Sequence, residues 1–145
     1  MQPTATVLFL CTGNYYRSRL AEHYFNALAA ERSLAWRAES RGMRVNPDNI
    51  GPISLEALRW LRARGIAVPE PERYPLAVTD DDLGRAALVI AVKEAEHRPY
   101  LERLFPSRVE RVEFWHVHDL DVATADEALP LLAARVEELI RRLST

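Results

Sequence analysis

In the stretch CTGNYYRS, residues 11–18, Cys11 is separated by five residues from Arg17, and Ser18 follows directly. Cys11 is the only cysteine among 145 residues. A thiolate is a strong nucleophile, and its surroundings decide how much of it exists at neutral pH. A bend that runs from a strand straight into a helix gathers free backbone N–H groups into one concavity. Gly13 and Asn14 are residue types that tolerate the left-handed backbone such a bend requires. The concavity suits a phosphate-sized oxyanion, and its field favours a thiolate at its floor. Arg17 adds a planar fork that can grip two oxygens, and Ser18 a hydroxyl that can donate to the sulfur as attacker and later as leaving group. Each well-aimed donor in such a cradle is worth about 3 kcal/mol of barrier. The chemistry these residues could perform is covalent attack on phosphorus through a cysteinyl-phosphate, without a metal or other cofactor.

The arginine offset alone says little, because of the 19 basic residues 18 are arginine and only Lys93 is lysine. The conjunction carries the reading: lone cysteine, Gly-Asn bend, arginine, serine, and the elements on either side. VLFL, residues 7–10, is a continuous apolar run consistent with a strand buried on both faces. After the bend, Leu20, Tyr24, Phe25 and Leu28 recur at helical spacing, with Glu22, His23 and Asn26 on the other side. The pattern predicts a second strand from Trp36 to Ser40, then a helix capped by Ser54 and closed by Gly65. Pro69–Pro75 reads as an irregular connection, and TDDDL from Thr79 as the start of a short helix. Ala87–Val92 predicts a doubly buried strand, Glu94–Leu104 a helix, Arg111–Val117 an edge strand and Asp126–Leu143 a closing helix. Strands alternating with helices imply an α/β fold with a parallel sheet covered on both faces, and ligands in such sheets bind beyond the carboxyl ends of the strands. Cys11 lies at such an end.

The chain length predicts one domain spanning 1–145. A formal net charge of −2 argues against a nucleic-acid partner or an anionic membrane surface. One cysteine excludes an internal disulfide and any multi-cysteine metal site. The start MQPTATVLFLC lacks the basic segment and long apolar run of a signal peptide, and no run is long enough to span a membrane, so a cytoplasmic protein is expected.

VLFLCTGNYYRS near the N-terminus, followed by an Ala-Glu pair in the first helix, resembles the low-molecular-weight protein tyrosine phosphatases and their arsenate-reductase relatives. ESRG (Glu39–Gly42), LEALRWLRARGI and VIAVKEAEHRPYL extend the resemblance over essentially the whole chain. It implies a three-layer sandwich, a four-stranded parallel sheet flanked by helices on both faces. It also implies Cys11 as nucleophile, Arg17 as phosphate clamp, and Thr12, Gly13, Asn14, Tyr15, Tyr16 and Ser18 as the phosphate- and substrate-binding loop. The substrate would be a phosphorylated protein or a small phosphomonoester, with inorganic phosphate released.

The family's general acid is the aspartate of an Asp-Pro pair after the last strand. Here that region reads FWHVHDLDVATADE, and Asp119 falls on the acid while Leu120 stands where proline is expected. Asp121 remains the alternative acid. His116 and His118 flank this region, but the spacing of the acids does not fit a metal centre. The aromatic residues that hold a phosphotyrosine ring in tyrosine-specific relatives are replaced by Leu120, Asp121, Val122 and Ala123, leaving Tyr15 and Tyr16 as possible walls. Tyr15 stands where phosphoarginine-specific relatives carry a threonine, and Tyr16 where many members carry a second cysteine. Two other functions stay open: arsenate reduction using an external small thiol, and a phosphate- or phosphoprotein-binding module without catalysis.

Overall fold

The computed structural model describes residues 5–144; of the start MQPTATVLFLC, compared above with a signal peptide, the first four residues lie outside them. Strand β1 (Ala5–Cys11) leads through the loop into helix α1 (Arg17–Glu31), which returns to strand β2 (Trp36–Gly42). Helices α2 (Leu55–Ala63) and α3 (Asp80–Arg85) precede strand β3 (Leu88–Ala91) and helix α4 (Glu94–Leu104). A 3-10 turn (Pro106–Arg111), strand β4 (Val112–Phe114) and helix α5 (Ala125–Leu143) complete the order. The four strands form one parallel sheet in the order β2-β1-β3-β4, as expected from the alternation of strands and helices.

Side chains of β1 alternate between two cores. Val7, Phe9 and Cys11 pack with Leu20, Phe25, Leu61, Leu132 and Val136 beneath α1, α2 and α5. Leu8 and Leu10 face Leu83, Leu101 and Val109 on the side of α3 and α4. Covering both faces explains why the strand reads as an unbroken apolar run. Helix starts follow their caps: Ser54 accepts from Ala57 N–H, and Thr79 and Thr124 each form a capping box with Asp82 and Glu127. Among the described residues no helix is long and apolar enough to cross a membrane.

Three expected strands change their bounds. β2 runs on to Gly42, because Gly42 N–H donates to Leu76 O at 2.8 Å and its carbonyl accepts from Val78 N–H at 2.9 Å, giving the strand end a further partner. β3 spans Leu88–Ala91 rather than 87–92. β4 is only Val112–Phe114: Arg111 closes the 3-10 turn, and beyond Phe114 the chain bends so that Trp115 N–H reaches Ala91 O (2.9 Å) and Val117 N–H reaches Val92 O (2.8 Å). That bend brings the segment after β4 over the end of β1. The strand order reverses between β1 and β3, so the crevice of the sheet opens where Cys11 ends its strand.

Candidate active site

Cys11 is buried, and its Sγ lies 2.9 Å from Ser18 Oγ and accepts from Asn14 N–H at 3.3 Å. Asn14 has φ +52°, the left-handed conformation expected of this position. Its side chain is fully engaged. Nδ2 donates to Ser18 Oγ (3.0 Å) and Ser40 Oγ (2.8 Å), while Oδ1 accepts from Arg73 Nη1 and Leu76 N–H, both at 3.0 Å. A buried amide satisfied on all sides holds a strained backbone in place. Gly42, at the end of β2, supports the same loop from below: a Cβ there would come within 2.9 Å of Thr12 O and 3.0 Å of Asn14 N.

A second arginine, Arg19, is fully buried and braces the other side of the loop. It donates to Asn14 O (3.3 Å), Pro52 O (2.8 Å) and Arg73 O (2.9 Å), and pairs with Glu72 at 3.1 Å. The irregular 69–75 connection thus covers the loop rather than merely joining elements. Tyr15 O–H donates to Ile50 O at 2.5 Å, and Tyr15 O accepts from Ser54 N–H at 2.9 Å, tying the loop to the segment before α2.

Arg17 opens α1 and is 1% exposed. Its Nη1 donates to Val117 O (3.0 Å) and Glu96 Oε1 (3.3 Å), its Nη2 donates to Glu96 Oε2 (2.7 Å), and Asp119 Oδ2 lies 3.4 Å from Nη2. Burial opposes the charge of this guanidinium, but Cys11, Glu96 and Asp119 around it raise its pKa all the same, so it stays a cation. Burial, with Asp119 and Glu56 nearby, pushes the Tyr16 phenol up to about 12, and its buried hydroxyl has no hydrogen-bond partner among the described residues.

Asp119 is half-buried, and its Oδ1 accepts from Leu120 N–H at 2.9 Å while its carbonyl accepts from Val122 N–H (3.0 Å) and Ala123 N–H (3.1 Å). This turn holds the carboxylate in the absence of the expected proline. Asp121, His116 and His118 are exposed, and among the described residues no group of three His, Cys, Asp or Glu stands together as a metal site.

These side chains meet at a cavity of about 230 Å³ lined by Cys11, Thr12, Gly13, Tyr15, Tyr16, Arg17, Asp119 and Leu120, with Arg44 and Asn46 on its rim. Larger hollows of about 450 Å³ beside β4 and α5 and about 530 Å³ beside α1 are not lined by Cys11, so size does not mark the chemistry. The arrangement could hold a tetrahedral oxyanion over the sulfur, with the Arg17 cation and the Asp119 carboxylate both beside it. Of the residues named from sequence, Cys11, Thr12, Gly13, Tyr15, Tyr16, Arg17 and Asp119 line the cavity, while Asn14 and Ser18 are fully buried beneath it. Sequence reasoning missed Glu96, His97, Arg19, Ser40, Gly42 and Arg73. Glu39–Gly42 and the first turn of α4 lay within stretches that carried the resemblance; nothing local marks Arg19 or Arg73.

A family model described as low molecular weight phosphotyrosine protein phosphatase matches residues 6–131. No curated protein sequence matches. The low molecular weight protein tyrosine phosphatase from T. tengcongensis is similar in structure, with 27% identity, TM-score 0.80, and 96% of this chain and 99% of that one covered. YfkJ from Bacillus subtilis (24% identity, TM-score 0.82, 97% and 94% covered) shares the fold. So does the YwlE arginine phosphatase from Geobacillus stearothermophilus (19%, TM-score 0.76, 97% and 93%). With a match over most of its length, the chain belongs to the low molecular weight phosphotyrosine protein phosphatase family.

Proposed function

We propose that this phosphatase hydrolyses phosphomonoesters, phosphotyrosine-like or small aryl phosphates, through a cysteinyl-phosphate and without a metal. The observation that carries the proposal is the coincidence of three groups in one small cavity: the Cys11 sulfur, with two donors from beneath aimed at it, the buried Arg17, and the Asp119 carboxylate on the opposite chain segment. In the first step the Cys11 thiolate forms a bond to phosphorus as the P–O bond to the leaving group breaks, and Asp119 gives that oxygen its proton. In the second, Asp119 takes a proton from water, the resulting hydroxide attacks phosphorus, and the P–S bond breaks to restore the thiolate and release inorganic phosphate. Arg17 and the loop amides carry the charge on the equatorial oxygens throughout, the part a metal plays in other phosphatases.

The substrate wall is apolar on two sides. Tyr15 and the 44%-exposed Leu120 line the cavity, which suits an aryl group without the aromatic pair of tyrosine-specific relatives. The test is hydrolysis of 4-nitrophenyl phosphate in EDTA from pH 4 to 9, wild type against Cys11→Ser. A bell-shaped profile abolished by the substitution is the expected outcome. Activity that disappears in EDTA would sink the metal-free mechanism. No turnover by folded protein that still binds inorganic phosphate would leave a binding module in its place.

A further inference from the structure

An arginine side chain offers a ligand two edges that each take a pair of oxygens: end-on through Nη1 and Nη2, or side-on through Nε and the outer Nη2 hydrogen. In Arg17 the end-on edge is already filled. Glu96 Oε1 accepts from Nη1 at 3.3 Å and Oε2 accepts from Nη2 at 2.7 Å, and Val117 O takes a further Nη1 hydrogen at 3.0 Å. Arg17 Nε, buried, is without a hydrogen-bond partner among the described residues.

Glu96 is itself held. The Thr12 hydroxyl donates to Oε2, and His97 Nε2 lies 3.2 Å from the same oxygen and 3.1 Å from Thr12 Oγ1. His97 is fully buried, and its Nδ1 accepts from Lys93 N–H at 3.1 Å. The neutral ring therefore carries its proton on Nε2, facing Glu96 and Thr12. A chain of hydrogen bonds thus runs from the first turn of α4 to the clamp and to the residue beside the nucleophile.

We infer that Glu96 is the positioning residue for Arg17: by filling the end-on edge it fixes the clamp so that the side-on edge, Nε with the outer Nη2 hydrogen, meets the phosphate over Cys11. The inference rests on the phosphatase reading above. Glu96 does not touch the phosphate, and its negative charge opposes phosphate binding. Removing that charge should therefore slow turnover without weakening binding, a split that general loss of structure does not produce.

The experiment is a double-mutant cycle of Glu96→Gln and Arg17→Lys on 4-nitrophenyl phosphate, with inorganic phosphate as competitive inhibitor. Glu96→Gln should lower kcat at least about tenfold while the inhibition constant of phosphate moves less than about threefold or tightens. On the Arg17→Lys background the same change should alter kcat less than about twofold. Glu96→Asp, which keeps the charge but reaches only one nitrogen, should fall between and serves if the glutamine variant does not fold. Native kcat in either Glu96 variant, or equal losses on both backgrounds, overturns the assignment. A second readout needs no turnover: the Arg17 Nε–H resonance, identified by its loss in Arg17→Lys, should shift when inorganic phosphate saturates the wild type. Saturation without that shift overturns the side-on clamp even where the enzyme is active. Wild type that hydrolyses nothing but shows the shift refutes the phosphatase reading alone.

Discussion

The hydroxyl of Ser18 sits 2.9 Å from the sulfur of Cys11 and accepts from Asn14 Nδ2 at 3.0 Å. With an acceptor site of the oxygen taken by Asn14, its proton is free to point at the sulfur, where the Asn14 N–H adds a second donor at 3.3 Å. Ser18 is fully buried, so water does not compete for this bond. In the proposed mechanism this hydroxyl stabilises sulfur as attacker and as leaving group; it does not line the cavity.

Ser18→Ala should therefore lower kcat by about ten- to a hundredfold, at or below the range for one donor in an anion cradle, and leave KM nearly unchanged. Steady-state kinetics on an aryl phosphate checks this. A change confined to KM would place the hydroxyl in substrate binding instead.

Asp119 and Asp121 differ in the structure as they do not in the sequence. Asp119 lines the cavity with its carboxylate 3.4 Å from Arg17, whereas Asp121 is exposed and outside it. Asp119→Asn should cost about 10²- to 10³-fold in kcat on a substrate with a poor leaving group, within the usual range for a general acid, while Asp121→Asn should stay within about twofold. The loss at Asp119 should shrink as the leaving group becomes more acidic and needs its proton less. The reverse ranking of the two variants moves the acid to Asp121.

The Cys11 loop was legible because its parts are local: cysteine, bend, arginine and serine fall within CTGNYYRS, and each has a backbone or charge requirement of its own. The sheet was legible because both its faces are covered, which leaves an unbroken apolar run in β1. Glu96 was not, since it lies 79 residues from Arg17 and an acid in a first helical turn has an ordinary explanation in the helix dipole. His23 and Asn26 were expected on the outward side of α1. Instead Asn26 ties both backbone groups of Ala38 (2.8 and 3.1 Å), and His23 is buried at 2.6 Å from Glu72. Helical periodicity identifies the apolar stripe but does not show that a second layer covers the polar one. β4 shortened because its pairing with β3 ends where Trp115 and Val117 turn toward the active site, a tertiary demand with no local signal.

Gly42 carries a prediction that depends on space alone. Its backbone is bonded on both sides, to Leu76 and Val78, so it cannot retreat from the 2.9 Å contact an added Cβ would make with Thr12 O. Gly42→Ala should cost about 2 kcal/mol of stability, the usual scale for an overpacked site. The loop must move to relieve the clash, so kcat should fall by more than about tenfold even in the folded fraction. Urea unfolding with kinetics on the same samples separates the two effects, and a variant with native stability and rate would mean that the loop yields freely.

Glu96 and His97 make stability sensitive to acid, with losses that begin at two different pH values. Burial alone would raise the Glu96 carboxyl, but hydrogen bonds from His97, Arg17 and Thr12 outweigh it and hold the group well below the usual carboxylate range. Burial lowers His97 and outweighs the Glu96 carboxylate, which pulls the other way, so the ring stays neutral in the fold. Both folded-state values lie below those of the unfolded chain, so at falling pH the unfolded state binds protons first and gains population. The contribution of His97 is complete above its unfolded value of about 6.5 and is lost as pH falls from there through its lower folded-state value. That of Glu96 is complete above about 4.3 and is lost below. Unfolding free energies measured from pH 8 to 3 should fall in these two stages. His97→Gln should flatten the first stage, and Glu96→Gln the second, whatever each does to stability at pH 8. Curves parallel to wild type in both variants would mean that neither group titrates with folding.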